Sequence, residues 1–162
     1  MGEGRGKRIR MKIGVISDTH GLLRPEAKNA LIGVDSIIHA GDIGKPQVIE
    51  ELESIAPLAI IKGNIDTKPW AETIPDTLSL QFSQHSIFVL HNIKELDFNP
   101  SGKFSCVIYG HSHKPHIEQK NTVLYLNPGS AGPRRFKLPV CLAMLEISKT
   151  KLEAKIVELN PE

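Results

Sequence analysis

The chain has 162 residues, a formal net charge of +2, 40% hydrophobic and 23% charged residues, a balance that sets one ordinary domain and excludes wholesale disorder, a collagen-like fibre or a coiled coil. No apolar run approaches the ~20 residues of a membrane helix, aromatic residues at 5% leave little for a base-stacking surface, and so small a charge gives no reason to expect a polyanion partner. Seven histidines outnumber five phenylalanines, and their positions carry the functional argument.

Residues 1–10, MGEGRGKRIR, read as a flexible basic leader without the apolar stretch of a secretory signal; a single domain is expected over 11–160. The run MKIGVIS at 11–17 is apolar and β-branched, as a buried strand requires. Pro25 then opens PEAKNALI in a position suited to the first turn of a helix. SIIH at 36–39 predicts a second buried strand. Pro46 to Ile55 predicts a helix with Val48, Ile49, Leu52 and Ile55 on one face, and Leu58 to Ile61 a third strand. Alternating strands and helices point to a parallel sheet with crossover helices.

Beyond residue 76 the pattern becomes strand-rich. TLSLQF at 77–82 and SIFVL at 86–90 predict a hairpin, with His85 in its solvated turn. Further strands are expected at 106–109, 123–126, 140–147 and 151–159, the last an alternating edge strand that offers a route to a homo-oligomer. Cys106 and Cys141 fall inside apolar segments, as free buried thiols of a reducing, cytoplasmic compartment would. Together these elements suggest two sheets packed face to face with helices outside.

In open α/β sheets functional residues gather at the carboxyl ends of strands. Five strand ends here carry Asp, His or Asn: DTH at 18–20, GD at 41–42, GNID at 63–66, HN at 91–92 and GHSH at 110–113. In extended chain, residues two apart point to one side, so Asp18 with His20, and His111 with His113, each offer a pair of donors. Imidazole and carboxylate suit Mn, Fe, Zn and Ni. The candidate ligands Asp18, His20, Asp42, Asn64, His91, His111 and His113 are too many for one tetrahedral ion and fit two ions sharing a carboxylate.

These motifs, in this order, resemble the calcineurin-like metallophosphoesterases, and NPGSAGPRR at 127–135 is similar to a loop of their small bacterial and archaeal phosphodiesterase branch. The resemblance implies a four-layer α/β/β/α sandwich and hydrolysis of a phosphate ester by a hydroxide held between two divalent ions, manganese foremost, with Ni, Zn, Fe or Mg as others. It implies Asp18, His20 and His113 at one ion, Asn64, His91 and His111 at the other, and Asp42 between them. Asp18, Asp42, Asn64 and His111 would be the catalytic residues. The substrate would be a small or nucleotide-like phosphate ester, with no membrane and no stable nucleic-acid complex involved.

Two positions depart from the family. Many members place a proton-donating His after the GN asparagine. Here it is Ile65, as in the phosphodiesterase branch, which favours esters with good leaving groups. Asn92 opens a 92–104 loop that would border the second ion and shape the pocket. His39 is expected to orient or pack beside Asp42, His116 to lie at the surface, Asp66 to be structural, and Arg134 or Arg135 to meet substrate phosphate or solvent. A competing reading is an interaction scaffold like the metallophosphoesterase-like subunit of retromer.

Overall fold

The computed structural model describes residues 10–161; the leader expected over 1–10 lies outside them except for Arg10, which pairs with Glu146 at 3.1 Å. MKIGVI forms β1 (Met11–Ile16), with its last four residues buried. Two parallel neighbours follow in register, β2 (Ser36–His39) beside β1 and β3 (Leu58–Ile60) beside β2. The crossovers run through α1 (Pro25–Ala30) and α2 (Pro46–Glu53), each with proline in its first turn. Gly14 makes the contact between β1 and α1 close, since a side chain there would strike Leu31 just after the helix.

The remaining strands are β4 (Thr77–Phe82), β5 (His85–Leu90), β6 (Cys106–Ile108), β7 (His116–Lys120), β8 (Val123–Asn127), β9 (Cys141–Ile147) and β10 (Leu152–Glu158). They complete two mixed five-stranded sheets, ordered β10-β9-β1-β2-β3 and β4-β5-β6-β8-β7. Ile13, Val15 and Ile38 from the first sheet meet Ile87, Val89, Ile108 and Leu126 from the second in one core. Each such side chain contributes ~1.5–3 kcal/mol through burial. Leu31, Val48 and Leu52 cover the outer face of the first sheet.

The expected α/β/β/α order holds, with its fourth layer reduced. Over the second sheet lie a 3-10 turn, Ile93–Glu95, and the loop after it, packed on Phe88, Val107 and Tyr125. β7 was not legible, because HIEQK is exposed at every position and has no apolar alternation. It forms by backbone pairing with β8. His85 is also corrected: it opens β5 rather than sitting in a solvated turn. Its Nε2–H donates to the Ser148 carbonyl at 3.1 Å, and Ser105 Oγ lies 3.3 Å from Nδ1. Cys106 and Cys141 are buried free thiols, and burial pushes the Cys141 thiol up to about 11.

Candidate metal centre

β1 ends at Ile16, and the chain turns out of the sheet through Ser17-Asp18-Thr19-His20. Asp18 and His20 both take left-handed backbone angles, φ 56° and 48°. Asp42, His111 and His113 do so as well, at φ 60°, 74° and 65°. Non-glycine residues rarely adopt this region, and their clustering at one point marks strain held by the surrounding structure. The expectation of extended i, i+2 pairs is therefore corrected. Asp18 and His20 still converge, but His111 and His113 part company: His113 joins Asp18 and His20, whereas the His111 ring sits 5.2 Å from that of His91.

Two compact groups result, Asp18–His20–His113 and Asp18–Asp42–His91. Asp18 Oδ1 lies 3.8 Å from His20 Nε2, 3.8 Å from His91 Nε2 and 3.6 Å from His113 Nε2. Asp42 Oδ2 lies 3.4 Å from His20 Nε2 and 3.3 Å from His91 Nε2. Both carboxylates thus stand between the histidines. Asn64 and His111 lie outside the compact groups, exposed, and line one cleft together with His91.

Each carboxylate is anchored by one oxygen and offers the other. Asp18 Oδ2 accepts from Ser17 Oγ at 2.8 Å and from the His111 amide at 3.1 Å. Asp42 Oδ1 accepts from the Ile65 amide at 3.1 Å. His91 is oriented in the same way, with Nδ1–H donating to the Ala40 carbonyl at 2.7 Å and Nε2 facing the carboxylates. Gly110 has to be small, because a side chain there would strike Ser17 and Asp18.

Asp18 Oδ1, His20 Nε2, His91 Nε2 and His113 Nδ1 are buried without a hydrogen-bond partner. Buried polar atoms are ordinarily satisfied, and here Asp18 Oδ1, His20 Nε2 and His91 Nε2 converge on shared space. That is the arrangement divalent ions fill, and the oxygen and imidazole donors suit first-row metals. The pKa values follow the same crowding. The side-chain contact with Asp18, reinforced by the charges of Asp18 and Asp42, holds His20 above its ordinary value despite burial. Burial pulls His91 down, yet Asp42, the Ala40 carbonyl and Asp18 together raise it. Burial pushes Asp42 up, but His91, the Ile65 amide and His20 bring it below its ordinary value. His113 is lowered, first by burial and then by the charges of Arg135 and His20.

Residues behind the site hold it in place. His39 is fully buried and accepts from the Gly41 amide at 3.0 Å through Nδ1, which leaves Nε2–H to donate to Thr19 Oγ1 at 3.0 Å. Thr19 donates onward to the Ile43 carbonyl at 2.9 Å. His39 therefore ties the 18–20 turn to the 41–43 turn, and burial keeps it neutral, down to about 4. Asp66 accepts from the amides of Ile43, Gly44 and Gly63 at 2.9–3.0 Å, clamping the Asp42 and Asn64 loops together. Asn127 and Ser130 were not singled out from the sequence. Asn127 Nδ2 donates to the Gly110 carbonyl at 3.1 Å, and Ser130 Oγ to the Asp18 carbonyl at 3.0 Å; their one signal was the NPGS motif itself. His116 lies at the surface and meets Glu118 at 2.9 Å. Beyond Ser130 the exposed run Arg134-Arg135-Phe136-Lys137 forms a basic rim.

A family model described as the calcineurin-like phosphoesterase superfamily domain matches residues 11–150. The chain is 33% identical to a probable metallophosphoesterase of Methanothermobacter thermautotrophicus, over 91% of this chain and 92% of that protein. It is 30% identical to a phosphodiesterase of Methanocaldococcus jannaschii, over 91% of this chain and all of the other. Its fold is also similar to the crystal structure of Vps29 from Chaetomium thermophilum, with a TM-score of 0.75 at 17% identity over 93% of this chain and 100% of that one.

Proposed function

The chain belongs to the calcineurin-like phosphoesterase superfamily, and from that premise we propose that it hydrolyses a phosphodiester at a dinuclear centre of divalent ions, manganese foremost. It is a metal-dependent phosphoesterase. The observation that carries the finer reading is the convergence of Asp18 Oδ1, His20 Nε2 and His91 Nε2, all buried without a hydrogen-bond partner, beside Asp42, with His113 Nε2 3.6 Å from Asp18. In this reading Asp18, His20 and His113 would hold one ion and Asn64, His91 and His111 the other, with Asp42 available to both. Divalent ions bound there supply Lewis acidity, which makes water a better nucleophile and offsets charge on the phosphoryl oxygens.

The protein's own groups do the rest. The bond from Ser17 fixes the free oxygen of Asp18, and the bond to Ala40 fixes the tautomer of His91. Asn64 and His111 are exposed at the cleft, which supports a role for them in meeting the phosphoryl group. In hydrolysis, water oxygen forms a bond to phosphorus as the bond to one alcohol oxygen breaks. That oxygen leaves with the electron pair and takes a proton from solvent, because Ile65, 41% exposed beside Asn64, has none to give. The absent donor favours esters whose leaving oxygen is a weak base; the proposed substrate is a small or nucleotide-like phosphodiester. Arg135, close enough to lower His113, supports a role in drawing the anionic ester.

Two buried free thiols support a cytoplasmic setting, and no described helix is long and apolar enough to cross a membrane. The scaffold reading draws on the fold likeness alone, whereas the complete donor set argues for hydrolysis. Purified protein supplied with Mn is expected to cleave bis-p-nitrophenyl phosphate, to lose that activity on chelation and regain it with Mn, and to hold about two ions per chain by elemental analysis. Absence of cleavage with Mn, Ni and Zn alike overturns the proposal.

A further inference from the structure

The cleft that opens from the Asn64–His91–His111 side of the centre has a volume of about 440 Å³, the size of a small-molecule site. Its lining combines apolar and acidic residues. One wall is apolar, made of Phe88, Leu90, Leu96 and Phe98. Phe88, Phe98 and Phe104 stack into one cluster, with ring centroids 5.1–5.9 Å apart. Three of the chain's five phenylalanines are therefore committed to this wall and its backing. Phe98 already attracts a cation on one face, since Lys103 Nζ sits 5.7 Å from its ring centroid.

Three exposed residues of the lining are acidic: Asp76, Glu95 and Asp97, and among the described residues none has an ion-pair partner within 4.0 Å. Lys62 is the one lysine or arginine of the lining. On the opposite side of the centre, Arg134, Arg135 and Lys137 are all exposed. The site is therefore bipolar: cationic over the loop after β8, acidic and aromatic over β5, the loop after it and the residue before β4. His91, 8% exposed with Nε2 unpartnered, fixes the end of the cleft where the phosphate belongs.

We infer that this cleft receives one alcohol group of the diester and selects a cationic alcohol with an apolar body, of the amino-alcohol or quaternary-ammonium class. The inference rests on the phosphodiesterase reading and specifies its substrate. A positive head would lie between the phenylalanine faces and the three carboxylates, each of which favours it. A second phosphate or carboxylate on that alcohol would meet repulsion from those carboxylates. Chemically, one diester alcohol is exchanged for water oxygen, as above, and no further reactant is needed.

The test compares two esters that share phosphorus and leaving group and differ in the trimethylammonium: p-nitrophenyl phosphorylcholine and ethyl p-nitrophenyl phosphate, with the Mn-loaded protein. The choline ester is expected to show about tenfold higher kcat/KM, carried by KM and shrinking as salt is raised. The double substitution Glu95→Gln/Asp97→Asn is expected to bring the ratio near one, with Phe98→Ala lowering it independently. Calorimetry should rank phosphorylcholine above ethyl phosphate as a ligand. Equal kcat/KM for the two esters, or a preference untouched by both variants, overturns the inference and leaves the diesterase reading standing. Hydrolysis of neither ester overturns that reading and the inference with it.

Discussion

The two sides of the centre are built differently. Around Asp18 and His113 the donors are buried, and Asp18 is held from behind by Ser17 Oγ and the His111 amide. Around Asn64 and His111 the donors are exposed and face a cleft roofed by loop rather than helix. The closed side is held by the sheets, where β1 and the loops after β2 and β8 meet. The open side borrows its shape from residues 92–98, which no described α-helix overlies. A phosphoesterase can thus keep its ion geometry rigid while leaving the substrate-facing wall free to vary.

The largest effect is expected where the two sides join. Asp42→Asn preserves shape and tolerates the left-handed angle, yet removes the charge between the two histidine sets. Diesterase kcat should fall by about a thousandfold or more, with metal content falling too. Near-normal kcat would break the comparison at its hinge.

The closed side should also be the pH-sensitive one. His39 is neutral in the fold, down to about 4 from an ordinary 6.5, so the unfolded chain takes up the proton first. Its contribution is complete above about pH 6.5 and is lost as pH falls from there to about 4, on the order of 3 kcal/mol. Denaturant titrations of the chelator-treated protein should show this slope, and His39→Gln should flatten it.

Asp66→Asn keeps one acceptor oxygen but leaves amides of the Asp42 and Asn64 loops short of a partner. A loss of about 2 kcal/mol is expected in unfolding free energy. Removing one ligand from each side sharpens the contrast further. His113→Ala should weaken metal retention about tenfold more than His111→Ala, because solvent can replace an exposed donor more readily than a buried one. Equal losses in a metal-competition assay would show that burial does not distinguish the two sides. The smallest effect belongs to the basic rim: Arg135→Ala should raise KM for diesters roughly threefold with kcat little changed, since an exposed charge acts weakly through solvent.

Much of this was legible in the chain itself. Buried strands such as MKIGVI and SIIH declare themselves by unbroken β-branched runs, and the donors follow at their ends. β7 was not legible, because an edge strand exposed at every position is specified by its partner's backbone and not by its own side chains. His85 was misplaced because a two-residue hairpin loop, Ser83-Gln84, cannot be measured to the residue from alternation alone. The clamp made by Asp66 was visible only as an acidic residue after Asn64, since its partners at Ile43 and Gly44 lie in another loop.

By itself, the sequence determined the buried strands, the seven candidate ligands at their ends and the absence of a proton donor at Ile65, because local periodicity and motif spacing are properties of the chain. Only the tertiary structure decided how those ligands divide. His111 and His113, two residues apart, turn to different partners because the backbone between them leaves the extended region, and Asp18 takes its place between the histidines because bonds from Ser17 and His111 fix one of its oxygens. The opposite charges of the two sides arise in the same way, from loops far apart in sequence that packing brings to one centre.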